Sequence, residues 1–188
     1  MNETIELPVS CLDVEVGLLK HFNFRQNVIV TNVTDASFLV PFETDMVVLT
    51  KSGFAYGIEI KVSKSDLKAD LKKRQFTSFD AAREGKKGVD RWYSRFKYFY
   101  YAVPSNLVEE ALKIVPPFCG VLSIRKIQYP QSYIPDYITY KVVEKRKPER
   151  ISCQKWTDSE RLKLAHLGAM RIYALKNRQN QFHNRINQ

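Results

Sequence analysis

Cysteine and histidine are scarce in this 188-residue chain, at three of each. Cys11, Cys119 and Cys153 lie far apart, are odd in number and match no metal-ligand spacing. They read as ordinary reduced thiols of a cytoplasmic protein. His21, His166 and His183 are equally scattered, so the sequence suggests neither a zinc site nor a Cys/His nucleophile. No apolar run approaches the roughly 18 residues that a membrane helix needs. The first residues, MNETIELPVS, are acidic and lack the basic and apolar regions of a signal peptide. The glycines of REGKKGVD (83–90) are too closely spaced for a phosphate-cradling loop, and no Ser or Thr follows. Neither an internal repeat nor an interdomain linker is visible.

What is present is a composition suited to folding, 44% hydrophobic and 12% aromatic. The formal net charge of +10 is unevenly placed. Residues 1–60 carry three basic and eight acidic side chains, whereas residues 61–100 carry twelve basic and five acidic ones. Positive charge begins at Lys61. Such asymmetry indicates a polyanionic partner, and nucleic acid before membrane, because no basic segment has the wide apolar helical face that lies in a bilayer.

The periodicity predicts a helix over Leu12–Phe22 and a strand over residues 27–33. Two further strands, 44–50 and 54–62, are joined by Lys51-Ser52-Gly53 into a hairpin. SKSDLKADLKK (63–73) switches to a helical period, with Ser63 and Asp66 placed as a capping-box-like pair. Residues 75–94 read as a basic, mobile loop. A strand over 97–103, a short helix over 105–114 and a strand over 119–127 follow, and Tyr137–Val143 extends the sheet. A last helix starts at Thr157-Asp158-Ser159-Glu160, again in capping-box form, and runs to about Asn177, leaving a frayed polar tail, 178–188. The expectation is one domain over 1–188, with its core at about 12–127 and a helical extension at about 157–177. Its class is α/β, a mixed sheet sandwiched between helices.

Within YGIEIKVSK (56–64), alternation puts Ile58, Ile60 and Val62 on one face and Gly57, Glu59 and Lys61 on the other. An exposed edge strand would carry such an acid–base pair for solubility. The hairpin offers another reading. With the turn at 51–53, positions whose numbers sum to 104 face one another, so Asp45 opposes Glu59. Opposed like charges are destabilising without a cation, and two carboxylates sharing one hard divalent ion is the ligation magnesium accepts. Glu43 shares the alternation of Asp45 and replaces it if the register slips.

Asp45, a short turn and then Glu59-Ile60-Lys61 resemble the signature of the PD-(D/E)XK nuclease superfamily. EIKVSKSDLKADLKK, KYFYYAVPSNLVEEAL and VPPFCGVLSI, in that order, resemble its MmcB-like, DNA-repair-associated branch. Thr44 stands where the superfamily often has proline. The resemblance implies a restriction-endonuclease-like αβββαβ core and a magnesium- or manganese-dependent deoxyribonuclease acting in DNA repair. It implies metal ligation by Asp45, Glu59 and the Ile60 carbonyl, with Lys61 acting on the attacking water. It also brings in Glu15 of the first helix as a further ligand, against the plainer reading of a solvated acid near a helix N-terminus. The other function considered is a DNA-binding protein that keeps the fold without cleaving.

Lys64, Lys68 and Lys72 recur every four residues as one stripe, with Leu67 and Leu71 on the buried side. The stripe reads as a solvated face or as a phosphate-backbone contact. Asp66 and Asp70 read as a cap and a helix ion-pair partner. Lys86, Lys87, Arg91, Trp92 and Tyr93 of the basic loop are the remaining candidates for DNA contact, whereas YFYYAV (98–103) reads as core. A second copy of the chain or another repair protein is the further partner expected.

Overall fold

The structure is a computed structural model, and it describes residues 4–34, 37–40, 42–70, 95–129 and 137–186. Its elements are β1 (Ile5–Leu7), α1 (Cys11–His21), β2 (Val28–Val33), β3 (Thr44–Leu49), β4 (Ala55–Ile60) and α2 (Lys64–Asp70). After these come β5 (Tyr98–Pro104), a 3-10 turn (Ser105–Leu107), α3 (Val108–Ile114), β6 (Gly120–Gln128), β7 (Ile138–Arg146) and α4 (Asp158–Ile186). Strands pair in the order β1-β6-β5-β4-β3-β2, with β7 also on β6. The sheet is mixed: β4, β5 and β6 run parallel, and the other pairs are antiparallel.

Local chemistry accounts for the element ends. Ser10 and Asp13 close a reciprocal capping box at α1, the Ser10 N–H donating to Asp13 Oδ2 at 2.8 Å. Thr157 and Glu160 do the same at α4, as their spacing predicts. At α2 the Ser63 hydroxyl accepts the Asp66 N–H at 3.2 Å. The β3–β4 turn is closed by the Gly53 N–H donating to the Thr50 carbonyl, and Gly53 sits at φ +86°, a left-handed conformation that glycine adopts without strain.

Alternation along the strands divides the core in two. Met46, Val48, Ile58, Ile60, Tyr100, Ala102, Leu122 and Ile124 pack against Val14 and Leu18 of α1. Val47, Leu49, Ala55, Phe99, Tyr101, Val103 and Val121 pack against Leu67 of α2, Ala111 of α3, and Trp156 and Leu164 at the start of α4. Helices therefore cover both faces, and YFYYAV serves both cores as expected.

Some expectations need correction. β1 was not anticipated; it is three residues long and borrows its stability from pairing with the far end of β6. The last helix does not fray at 178 but continues to Ile186; residues 178–186 contain neither Gly nor Pro, so nothing stops a helix already nucleated. Lys72 and the loop candidates Lys86, Lys87, Arg91, Trp92 and Tyr93 lie outside the described residues. Among the described residues, no helix is long and apolar enough to cross a membrane.

Gly57 decides how closely β4 and β5 pack. A Cβ there would lie 2.6 Å from Phe99 Cε2, and the Phe99 ring is wedged among Phe42, Phe96 and Tyr101. Gly57→Ala is expected to destabilise the chain by about 1–3 kcal/mol through overpacking. Urea unfolding of the variant, with an unchanged m-value, checks this.

Candidate active site

The hairpin register is the one the sequence implies: Met46 faces Ile58 and Val47 faces Gly57, so the sum of 104 holds and Asp45 comes opposite Glu59. The slipped alternative with Glu43 does not occur. β4 lies inside the sheet, paired with β3 and β5, which excludes the solubility reading of an edge strand. Asp45, Glu59 and Lys61 share the face covered by α2, where the hairpin's open end meets the first turns of that helix.

Lys61 ends the strand with its N–H donating to the Ala102 carbonyl, and its side chain turns back into the cluster. The ammonium lies 2.7 Å from Glu59 Oε2, 3.4 Å from Asp45 Oδ2 and 3.4 Å from Asp70 Oδ1. The Lys61, Glu59 and Asp70 side chains are 4%, 1% and 1% exposed, against 33% for Asp45. Asp45 is therefore the opening of the site to solvent. Its Oδ2 also accepts the Ile60 N–H at 2.8 Å. A strand residue's N–H and C=O leave the same side, so the Ile60 carbonyl is on the β3 side of β4.

Asp70 is the site residue that sequence reasoning placed wrongly. It is no exposed partner along its own helix: it faces Lys61, and its Oδ2 accepts the Tyr101 hydroxyl at 2.6 Å. The signal lay in its spacing, three residues after the buried Leu67 and so on the inward side of α2. Lys64 and Lys68 remain outside. Both ammoniums reach Glu110 of α3, at 3.1 and 3.7 Å, as half-exposed surface pairs. Asp66 meets the cap as expected, through its backbone N–H to the Ser63 hydroxyl.

Burial first and Asp45 second push Glu59 from its ordinary 4.5 up to about 8. Burial alone would lower Lys61, but Glu59 and Asp45 overcome it and hold the ammonium above the ordinary lysine value. Glu15 on α1 is raised by burial and then by the charge of Asp45, which places it within electrostatic reach of the opening. Burial raises the two glutamates and opposes the shift of Lys61, which the neighbouring carboxylates reverse.

As a cation site the cluster offers two carboxylates and one carbonyl. Glu59 Oε1 is buried without a hydrogen-bond partner among the described residues, which fits an oxygen reserved for an ion. Among the described residues no group of three His, Cys, Asp or Glu side chains is arranged to hold a metal. Two carboxylates and a carbonyl are few protein ligands, a number that only an ion keeping several waters accepts.

No protein-family model matches the chain, and no curated protein matches it either. Among solved structures, the chain is similar to a protein of unknown function from Silicibacter pomeroyi, with a TM-score of 0.52, 22% identity, and coverage of 88% of this chain and 90% of that one. The likeness is one of fold.

Glu59 sets a pH dependence. The unfolded side chain loses its proton near 4.5 and the folded one near 8, so the folded state binds more protons in between and stability falls as pH rises. Lys61, raised when folded, contributes fully below the ordinary lysine range and adds no slope in this window. In chelator, the unfolding free energy is expected to decline from about pH 4.5 to 8, and Glu59→Gln is expected to flatten the curve. An equal decline in Glu59→Gln would assign the proton elsewhere.

Proposed function

We propose that the chain is a magnesium- or manganese-dependent deoxyribonuclease on a restriction-endonuclease-like core, hydrolysing DNA phosphodiester bonds in the cytoplasm as part of DNA repair. The observation that carries this reading is the convergence of Asp45, Glu59 and the Lys61 ammonium within 3.4 Å at the open end of one hairpin. The order α1, β2, β3, β4, α2, β5 supports it, being the order that the resemblance implies. The charge distribution adds a polyanionic partner.

Asp45, the unpartnered Oε1 of Glu59 and the Ile60 carbonyl would hold the cation, with Glu15 near the opening. A divalent ion bound there supplies charge neutralisation at a phosphoryl oxygen and acidifies water. Lys61 then serves the attacking water and the charge that develops on the phosphoryl group. Asp70 is the positioning residue. It keeps an anion beside the ammonium when Asp45 and Glu59 are engaged elsewhere, and Tyr101 fixes its carboxylate.

A second reading, a non-cleaving DNA-binding protein that retains the fold, is favoured by the same 2.7 Å contact, because Lys61 already neutralises Glu59. The two readings part on one substitution. Lys61→Ala is expected to retain divalent-ion binding and most DNA affinity while cleavage falls by about 10²-fold or more. Asp45→Ala is expected to lose ion binding as well, with folding intact. Calorimetry with magnesium or manganese, paired with cleavage of duplex, single-stranded and flap DNA, measures both. A wild-type chain that binds DNA and cuts none of them establishes the second reading.

A further inference from the structure

The C-terminal helix continues well past the body it packs on. Its first half is anchored at β2, the edge strand: Leu164 is fully buried, Gly168 lies against Val30, and the Arg171 guanidinium donates to the Asn32 carbonyl at 2.5 Å. Residues 175–185 are exposed without exception, over roughly 16 Å of helix. The side that packs, Leu164–Gly168–Arg171, continues at the same helical spacing as Leu175, Arg178, Phe182 and Arg185. Leu175 is 58% exposed and Phe182 67%. An inward-facing stripe thus runs off the sheet edge with nothing beneath it among the described residues.

Its chemistry narrows what it meets. From Arg161 to the last residue there are six Lys or Arg and no carboxylate. Arg161 donates to the Trp156 carbonyl, Lys163 lies over the Phe38 ring and Arg171 is used at Asn32. Lys176, Arg178 and Arg185 have no such partner among the described residues. Between Leu175 and Phe182 the sequence is KNRQNQ, without one apolar side chain, so the helix has little to insert into a bilayer. Pairing with a second copy of itself would set guanidinium against guanidinium. Arginines seven residues apart, about 10.5 Å along the axis, among Asn and Gln side chains, are the groups that contact phosphate and sugar.

We propose that residues 175–185 form a nucleic-acid docking arm, with Arg178 and Arg185 on backbone phosphates and Phe182 against the sugar or base between them. This arm is separate from Lys64 and Lys68. It rests on the nucleic-acid reading of the partner and not on cleavage.

The test uses the full chain with a short DNA duplex, by fluorescence anisotropy across about 50–200 mM salt. Arg178→Gln/Arg185→Gln is expected to lower the slope of log K against log salt by about 1.8, two released counterion contacts at about 0.9 each. Phe182→Ser should weaken binding with no change of slope, since it removes an uncharged contact. Arg25→Gln, an exposed cation on the loop after α1, should leave both unchanged. Circular dichroism confirms that helix content is kept. An unaltered slope in the double variant, an equal loss in Arg25→Gln, or a wild-type chain that binds acidic lipid vesicles or an acidic protein but not DNA overturns the arm. A chain that binds DNA through Arg178 and Arg185 yet cuts nothing leaves the arm standing and removes the nuclease reading. One that cuts with its slope untouched does the reverse.

Discussion

One ammonium among three carboxylates is the constraint around which the middle of this molecule is arranged. Lys61 lies within 3.4 Å of Asp45, Glu59 and Asp70, and two of those acids are sealed from solvent. Unpaired charges in such a place cost several kcal/mol each, so Lys61 offsets part of the cost of burying Glu59 and Asp70 side by side. The elevated Glu59 is the visible consequence. Every element bordering the cluster supplies part of the compensation: β3 brings Asp45, β4 brings Glu59 and Lys61, α2 brings Asp70, and β5 brings the Tyr101 hydroxyl.

The same arrangement leaves part of the cluster unsatisfied. Lys61 lies closest to Glu59 Oε2, while the buried Glu59 Oε1 has no hydrogen-bond partner among the described residues and Asp45 is one-third exposed. Asp70 gives the ammonium a third carboxylate within 3.4 Å. The fold gives the cluster its rigidity through parallel pairing of β4 with β5 and through Phe99 occupying the space that Gly57 leaves. Away from this centre, positive charge is carried on exposed helix faces. Lys64 and Lys68 straddle Glu110, whereas the far half of α4 has no acid to answer it.

The alternation of apolar residues in β3, β4 and β5, the Gly53 turn and the Thr157–Glu160 cap were legible in the sequence, because each depends on neighbours a few residues away. The Asp45–Glu59 pairing was legible for the same reason, since a short hairpin fixes register by its turn. β1 was not, because three residues have no period and exist as a strand only through β6. Asp70 was misread because its partners come from β4 and β5, and its spacing from Leu67 marks it as inward-facing without showing what it meets.

By itself, then, the sequence determined the α/β class, the hairpin and the triad that faces one way along it, since these follow from periods of 2 and 3.6 residues and from turn chemistry. Only the tertiary structure decided that β4 lies inside the sheet, that Lys61 is buried as the counterion of Glu59, that Asp70 joins them and that α4 overhangs the edge strand. Those outcomes depend on which distant elements come to pack together, and burial, which sets the strength of every charge in the cluster, is a property of that packing.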